Sequence, residues 1–357
     1  MNVRQFIDNT NLDHSLLIGY YGGGNYGDEL LLEVLSNLLA QKGAAGVRVT
    51  YQHPEQYPSM HRDFGFELVD IHSRWAMLKA ALKSRRIIIG GGGLWGVDMN
   101  VNTLLLSMFL FGSRWMLGKN VYLLGVGYYS STTRLGRIGA WFAAKAANVI
   151  LARDDESVRN FGRVSRHVHK DKDLAWQTQH LDLTPYRQEA AALQKRLPVG
   201  DNTLLMALRR PQAKRQHGLF NHYNNLVQQF IRTNPDRPII LAMLESEAKD
   251  PGLYAKAKTW RRHHKHLRVL EAPYNPLTFL AYIQQNQGRL ALVAPQLHLI
   301  MTAHLADVPF LPLVYDNKVA ELLDQIGVPA DQRIALANIT SKDLEAFART
   351  CFGGSKS

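Results

Sequence analysis

The sequence predicts an α/β protein made of two doubly wound domains. Short runs rich in Ile, Val and Leu alternate with amphipathic stretches of helical length, which is the pattern of a parallel sheet with crossover helices. The pattern occurs twice, on either side of a polar segment at 170–200 that ends in Pro198 and Gly200. A chain of 357 residues also exceeds the size at which a single hydrophobic core stops growing.

The first series of elements defines a domain at 1–180 with glycine-rich loops. Its predicted strands are 16–20, 47–51, 67–70, 86–89, 121–125 and 149–152. The helical patterns between them are 28–41, 74–83, 103–117 and 135–147.

The second series defines a domain at 200–340. Its predicted strands are 203–207, 238–243, 267–270, 290–293, 310–314 and 333–336. The helical patterns between them are 221–232, 253–263, 276–285, 297–306 and 317–326. A terminal helix at 341–352, within the tail 341–357, is expected to pack back on the first domain.

Two Rossmann-like domains that meet near 174–202 would turn the carboxyl ends of both sheets toward a shared cleft, where such folds bind ligands. This arrangement is called GT-B-like, and it is the fold class that we predict.

The chain is strongly basic, with a formal net charge of +12 at pH 7 and a pI near 9.7. Such a charge attracts polyanions whatever the fold. The positive residues are spread along the chain and no familiar nucleic-acid motif accompanies them, so we expect no nucleic-acid partner. A solvated basic surface, an anionic lipid or an anionic substrate remain as explanations.

Composition also bears on location. The single cysteine, Cys351, excludes an internal disulfide framework and fits a reducing compartment. The first fifteen residues carry Asp8 and Asp13 and lack an apolar run, so they do not resemble a secretory signal. We therefore expect a cytoplasmic location.

The most apolar stretch, 104–111, is too short to cross a bilayer. With Trp115, and near Arg114 and Lys119, it could instead lie on an anionic leaflet at the inner face of the plasma membrane. An ordinary buried helix is the alternative.

A glycine-rich motif at 20–29, Tyr-Tyr-Gly-Gly-Gly-Asn-Tyr-Gly-Asp-Glu, lies between a predicted strand and a predicted helix. Glycine lets the backbone approach a ligand closely, and the helix N-terminus offers N–H donors to an anion. The spacing also satisfies G-x-G-x-x-G, but the acidic residue expected at the end of the second strand is missing from 47–53. A ligand loop and a tight turn, with Asp28 and Glu29 complementing the helix dipole, both remain open.

Two further glycine clusters, Gly90 to Gly93 and Gly125 with Gly127, follow predicted strands. Glycines after three predicted strands favour a ligand-binding site at the carboxyl ends of these strands. Loops that need residues with positive φ are the alternative.

In this order, five motifs carry a family resemblance. They are Gly-Tyr-Tyr-Gly-x-x-Asn-x-Gly-Asp-Glu at 19–29, Gly-Gly-Gly-Gly-Leu at 90–94, Arg-Asp-Asp-Glu-Ser at 153–157, Leu-His at 297–298 and Val-Tyr-Asp-Asn-Lys-Val at 314–319. Together they resemble the polysaccharide pyruvyltransferase family over about residues 15–327.

The resemblance implies a GT-B-like enzyme that transfers a pyruvyl group from phosphoenolpyruvate to two hydroxyls of a sugar, as a ketal. The acceptor would be a lipid-linked or nucleotide-linked precursor of a surface polysaccharide or exopolysaccharide. No cofactor and no obligatory metal are implied.

Candidate site residues follow from the motifs and from the anionic donor, which needs cations and N–H groups. By resemblance to the family's Arg-Asp-x-x-Ser motif, Arg153 is the first candidate for a phosphoenolpyruvate ligand, and its alternative role is to pair with Asp155 or Glu156. The other candidate binding residues are Gly22, Gly23, Gly24, Asn25, Asp28, Gly92, Gly93, Arg209, Gln296, Leu297 and Lys318.

His298 is the candidate acid/base because it occupies the histidine position of the family's Arg-Leu-His motif, and histidine exchanges protons near neutral pH. A structural histidine on an apolar helix is the alternative. The chain departs from the motif at Gln296, where the family usually has arginine. Glutamine brings no charge, so another cation compensates or donor use has changed.

Two other functions stay open. A GT-B glycosyltransferase that uses a nucleotide sugar would have the same two-domain fold, and fold does not fix function. A non-catalytic family member that binds glycan would explain the loss of the arginine.

Overall fold

A computed structural model of the chain describes residues 1–95, 101–129, 133–208, 217–272 and 274–353. The chain divides into two compact units. The first comprises Met1–Gly23 and Asp28–Leu181, and the second comprises Gly24–Gly27 and Asp182–Ser357. Each is built around a parallel sheet with crossover helices, which confirms the predicted class.

The described residues of the first unit contain a seven-stranded sheet with the order β3-β2-β1-β4-β5-β6-β7. Its strands are β1 Ser15–Ile18, β2 Arg48–Tyr51, β3 Glu67–Asp70, β4 Arg86–Trp95, β5 Asn120–Tyr128, β6 Val149–Ala152 and β7 Val168–Lys170. The helices are α1 Val3–Asn9, α2 Tyr26–Gln41, α3 Tyr57–Met60, α4 Arg74–Lys83, α5 Val101–Trp115, α6 Arg134–Ala146 and α7 Asp155–Gly162. The first two residues of α2 belong to the second unit.

One face of this sheet packs against α4, α5, α6 and α7. Alternate strand residues such as Leu16, Ile87 and Val121 share one buried cluster with Leu110 of α5 and Ala143 of α6. Because side chains alternate across a strand, these residues lie on a single face of the sheet. The four helices therefore cover one face of the sheet, with α6 packed against both α5 and α7.

The described residues of the second unit contain a six-stranded sheet with the order β10-β9-β8-β11-β12-β13. Its strands are β8 Thr203–Leu208, β9 Ile239–Met243, β10 Leu267–Leu270, β11 Leu290–Ala294, β12 Phe310–Val314 and β13 Ile334–Ala335. The helices are α8 Thr184–Arg196, α9 His217–Thr233, α10 Pro251–His263, α11 Pro276–Gln285, α12 Leu297–Leu305, α13 Asn317–Gln325 and α14 Ser341–Phe352.

The glycine clusters lie inside strands rather than after them, which corrects the predicted ends of β4 and β5. Gly90 to Gly93 belong to β4, and Gly125 with Gly127 to β5, with register shifts at these glycines. Glycine weakens a strand prediction because it has no side chain to pack, but it still forms the backbone hydrogen bonds of the ladder.

The predicted polar segment at 170–200 contains the division between the two units, which falls between Leu181 and Asp182. It is more regular than predicted, because it contains a 3-10 helix at Leu174–His180 and all of α8. The prediction for the terminal helix was wrong. The terminal helix α14 packs against α9 in the second unit, not on the first domain, and it buries Leu344 and Ala348 in the core there.

Within the described ranges, no helix is both long enough and apolar enough to cross a membrane.

Candidate active site

The strand order of each sheet reverses beside its first strand, between β1 and β4 in the first unit and between β8 and β11 in the second. Doubly wound folds bind ligands outside the carboxyl ends of the strands at this switch point. The predicted site residues follow, or lie at, the carboxyl ends of strands in one sheet or the other.

In the first unit, the loop after β1 is held by close backbone packing at Gly22. This residue has φ +75°, and a Cβ placed on it would lie 2.5 Å from the Tyr51 ring. Its N–H donates to Glu29 Oε2 at 3.1 Å. Gly22 therefore needs to be glycine for the turn itself, and Gly23 beside it is likewise buried.

A buried ion cluster lies beneath this loop. His61 Nε2 is 2.9 Å from Glu29 Oε2, and His61 Nδ1 is 2.7 Å from Glu33 Oε2. All three side chains are buried. A neutral imidazole has only one N–H, so the protonated ring alone can donate to both carboxylates.

The pKa of His61 reflects this arrangement. Burial opposes the charged ring, but hydrogen bonds and charges from Glu29 and Glu33 outweigh it and raise the pKa to about 9. From the sequence, Glu29 was assigned only to the dipole of helix α2, and His61 was not identified as a candidate site residue. The one available signal was a pair of carboxylates four residues apart on the apolar helix α2, which need a buried partner.

Asp28, Gly92 and Gly93 also belong to the first unit. Asp28 is half-buried in the first turn of α2. Gly92 has φ +90°, and a Cβ placed on it would meet no atom within 4 Å, while Gly93 is exposed. At the end of β4, beside the switch point, the backbone of Gly92 and Gly93 is therefore not covered by neighbouring side chains, and a ligand can approach it closely.

Arg153 follows β6 and is buried in a polar network. Its Nη1 donates to Asp173 Oδ2 at 2.7 Å, and its Nε and Nη2 donate to the Tyr129 hydroxyl at 3.1 and 2.8 Å. The Tyr129 hydroxyl in turn donates to Asp154 Oδ2 at 2.9 Å. Burial by itself lowers the pKa of Arg153, but the interactions with Tyr129, Asp173 and Asp154 outweigh this effect and raise the pKa above its ordinary value. The guanidinium therefore stays charged.

The rest of the Arg-Asp-x-x-Ser motif stabilises the start of α7 beside Arg153. Asp154 caps α7 by accepting from the Ser157 N–H at 2.7 Å, and Ser157 Oγ accepts from the Tyr128 N–H at 2.7 Å. The alternative role of Arg153, pairing with Asp155 or Glu156, is not the observed arrangement, since Arg153 contacts Tyr129, Asp173 and Asp154. Asp155 pairs instead with Lys170. Binding of phosphoenolpyruvate by Arg153 stays a prediction.

In the second unit, the segment Gly24–Gly27 packs beside the end of β9. Gly24 O accepts from the Ser246 N–H at 3.0 Å, and Asn25 forms an antiparallel bridge with Glu245. The Tyr26 N–H donates to Leu244 O at 2.9 Å, and its hydroxyl is 2.6 Å from Thr302 Oγ1 on α12. The opening motif is thus anchored on the helix that carries His298.

Gly27 and His298 are in direct contact. A Cβ placed on Gly27 would lie 2.2 Å from His298 Nδ1, so the imidazole occupies the space that any side chain at position 27 would need. His298 is half-buried in the first turn of α12, just past the carboxyl end of β11. The two motifs, separated by about 270 residues of sequence, meet here.

Gln296 and Leu297 form the start of α12. Gln296 is the N-cap residue, but its side chain makes no capping hydrogen bond. It is 4% exposed, and within the described part of the chain its Oε1 has no hydrogen-bond partner. Leu297 is half-buried beside it. A buried acceptor without a donor is costly, which favours a ligand that supplies one.

Lys318 lies at the start of α13, directly after β12, and is half-buried. Asp316 caps this helix by accepting from the Val319 N–H at 3.1 Å. Since parallel strands end at one edge of a sheet, Lys318 lies at the same edge as Gln296 and His298. Arg209 lies outside the described residues.

The predicted residues thus form two groups. Gly22, Gly23, Asp28, Gly92, Gly93 and Arg153 belong to the first unit, and Gly24, Asn25, Gln296, Leu297, His298 and Lys318 to the second. A cleft shared by both groups stays a prediction. A surface cavity of about 390 Å³ beside α1 and Leu174–His180 is lined by none of them. Among the described residues, no group of three or more His, Cys, Asp or Glu side chains is placed to hold a metal ion.

Comparison with known proteins relates this geometry to a family. A family model described as polysaccharide pyruvyl transferase matches residues 25–317. No curated protein is similar enough to the chain to count as a match.

Solved structures show the same fold. A UDP-GlcNAc 2-epimerase from Methanocaldococcus jannaschii, solved with UDP-GlcNAc and UDP, is 14% identical, with a TM-score of 0.59 over 96% of this chain and 93% of that one. A UDP-N-acetylglucosamine 2-epimerase from Rickettsia bellii is 10% identical, with a TM-score of 0.57 over 96% of this chain and 88% of that one. The GT-B-like class is therefore confirmed.

Proposed function

Because the chain belongs to the polysaccharide pyruvyl transferase family and is therefore a transferase, we propose that it moves a pyruvyl group from phosphoenolpyruvate to a sugar of a surface-polysaccharide or exopolysaccharide precursor. The product is a ketal that bridges two hydroxyls of one sugar. The observation that supports this proposal most is the contact between Gly27 of the opening motif and His298 at the switch point of the second sheet.

The reaction sets the demands on the site. Two sugar oxygens form bonds to C2 of phosphoenolpyruvate, C3 takes up a proton to become a methyl group, and the bond from C2 to the phosphate oxygen breaks. Of the two hydroxyl protons, one is balanced by the proton added to C3 and the other leaves with phosphate. The site must therefore move protons and stabilise an anionic leaving group.

His298 is the group that we assign to proton transfer. Its ring is fixed against the Gly27 backbone, and the helix that carries it is tied to Tyr26 through Thr302. Thr302 Oγ1 also donates to His298 O at 2.8 Å, within the same helix. A histidine positioned in this way can deliver a proton to C3 or accept one from a hydroxyl near neutral pH.

The donor's anionic groups fit the amino-terminal end of α12. The amino-terminal end of a helix carries a partial positive charge, which favours a phosphate or carboxylate there, and the Gln296 side chain makes no capping hydrogen bond at this end. Lys318, at the same edge of the sheet, adds a positive charge.

Gln296 itself suits the acceptor better than the donor. Its buried Oε1 needs a hydrogen-bond donor, and the phosphate and carboxylate of phosphoenolpyruvate at neutral pH are mainly acceptors. A sugar hydroxyl supplies the missing donor. On this proposal, glutamine in place of the family arginine marks a changed contact with the acceptor sugar rather than a lost contact with the donor.

The donor assay tests the proposal. The purified chain should release phosphate from phosphoenolpyruvate only when an acceptor saccharide is present, and should not consume nucleotide sugars as donors. Turnover of a nucleotide sugar without phosphoenolpyruvate would identify a glycosyltransferase instead. Tight saccharide binding with no binding of phosphoenolpyruvate would identify a non-catalytic glycan-binding member.

A further inference from the structure

The first unit carries an apolar surface formed by the outward sides of α4, α5 and α6, here called the α4–α6 surface. The three helices cover the same face of the sheet, and α5 packs against α6. Lys119, just after α5, donates from Nζ to Leu82 O near the end of α4 at 3.1 Å. Trp75, Trp115 and Met116 are 81%, 64% and 85% exposed. The other exposed large apolar side chains on or beside these helices are Leu78, Leu82, Val101, Leu105, Met108, Leu117, Leu135, Ile138 and Trp141.

Aromatic contacts hold this surface together across α5 and α6. The Phe111 ring stacks on Trp141 with centroids 6.1 Å apart, and it also contacts Trp115 at 6.2 Å and Phe142 at 5.2 Å. Apolar side chains fixed at the surface cost free energy in water, and contiguous patches of this kind mark interaction sites.

The α5 helix has an inner and an outer side. Ser107 and Leu110 are buried in the first unit, whereas Leu105 and Met108 are exposed. The predicted segment 104–111 is therefore neither wholly buried nor wholly available to a membrane. The extension of the surface onto α4 and α6 was not predicted.

The charged residues on and around this surface are almost all basic. The basic residues on or beside the three helices are Arg74, Lys79, Lys83, Arg85, Arg114, Lys119, Arg134, Arg137 and Lys145. Between positions 72 and 152 the sequence contains a single acidic residue, Asp98, which lies outside the described residues. The nearest acidic residues along the chain lie outside the three helices. Asp70 ends β3 and accepts from the His72 N–H at 2.8 Å, and Asp154 is buried as the N-cap of α7.

We propose that the α4–α6 surface docks on an anionic phospholipid bilayer. Tryptophan concentrates at the membrane interface, aliphatic side chains enter the acyl boundary, and Lys and Arg bind anionic headgroups. This surface carries all three kinds of group. The proposal is independent of the chemistry at His298, because docking does not require turnover.

A second copy of the chain is the other occupant to consider. A symmetric dimer through this surface would bring the same patch of each copy together, so the cations of one would oppose the cations of the other. Like charges across an interface disfavour association, whereas an anionic leaflet complements them.

Cosedimentation of the full chain with phosphatidylglycerol and phosphatidylcholine vesicles tests the proposal. Binding should be strong on the mixed vesicles and weak on pure phosphatidylcholine, and added salt should weaken it. Arg134→Glu with Arg137→Glu should reduce binding at least about 20-fold. Trp115→Ser with Met116→Ser should reduce it about 10-fold or more.

A matched control separates the surface from the net charge. Arg261→Glu with Arg262→Glu, at exposed positions on α10 of the second unit, changes the net charge by the same amount and should leave binding nearly unchanged. Equal loss in this control, equal binding to pure phosphatidylcholine, or a dimer in solution that Trp115→Ser with Met116→Ser dissociates would each overturn the proposal. Circular dichroism checks that every variant is folded.

Discussion

Raising the pH above neutrality should remove the charge from His61 and destabilise the first unit. Both ring nitrogens of His61 face buried carboxylates, at 2.9 Å for Glu29 and 2.7 Å for Glu33. When the ring loses a proton, one of these hydrogen bonds is lost inside the core. The packed rings of Tyr51 and Tyr57 cannot replace this positive charge, because a tyrosine side chain is neutral or, when ionised, negative, and burial raises the pKa of both so that they stay neutral.

The sign and size follow from the two pKa values of His61. The ordinary pKa of a histidine side chain is 6.5, and the pKa of His61 in the folded chain is about 9. A raised folded pKa means that the stabilisation is fully present below pH 6.5 and is lost as the pH rises through about 9. The difference corresponds to about 3 kcal/mol of unfolding free energy.

Urea unfolding of the first unit between pH 6.5 and about 9.5, followed by tryptophan fluorescence, measures this loss. His61→Gln should flatten this part of the profile, and His72→Gln, at an exposed position of the same unit, should not change it. The His61 pKa can be read directly from the carbon-13 shift of its ring, identified by its absence in His61→Gln. A ring that titrates below pH 7, or a stability that does not fall over this range, would refute the reasoning.

Three further predictions concern the site. Gly27→Ala should displace the His298 ring and lower turnover at least about 10-fold, while its unfolding free energy stays within about 1 kcal/mol of that of the unmodified chain. As a control, Gly218→Ala, at a position with open space around it, should leave turnover unchanged. Gln296→Met, which removes the buried acceptor without adding a charge, should raise the KM for the acceptor sugar about 10-fold and leave the KM for phosphoenolpyruvate within about threefold. The opposite order would place Gln296 on the donor. Arg153→Ala should lower the unfolding free energy by about 3 to 5 kcal/mol because it leaves buried carboxylates unpaired, and unchanged stability with weaker phosphoenolpyruvate binding would show a ligand role alone.

The sequence predicted the sheets well because buried parallel strands are continuous apolar runs. The apolar runs at 149–152 and 310–314 match β6 and β12. The segments at 67–70 and 267–270, which match the edge strands β3 and β10, are more polar and only partly buried. Missed elements have weak patterns. Only Tyr186 and Ala190 of α8 are buried, so its apolar periodicity is faint even though its residues favour a helix.

The site was less predictable because its contacts are long-range. Nothing in the spacing indicates that His61 would lie between Glu29 and Glu33, or that Gly27 would contact the His298 ring. His298 was identified through family resemblance, which does not describe its surroundings. The alternative role for Arg153 named Asp155 and Glu156, whereas its partners include Asp173, which lies 20 residues away and could not be identified from local spacing.

The most direct test of the proposed function is a product analysis. The purified chain is incubated with phosphoenolpyruvate and an extract of lipid-linked sugars, and the sugars are examined by mass spectrometry. We predict that one sugar gains a pyruvyl group while phosphate is released in equal amount, and that His298→Ala lowers the rate by about 10² to 10⁴ with phosphoenolpyruvate binding nearly intact. Full pyruvyl transfer by His298→Ala would contradict the assignment of the proton carrier, and the absence of any pyruvylated sugar with the unmodified chain would contradict the proposed function.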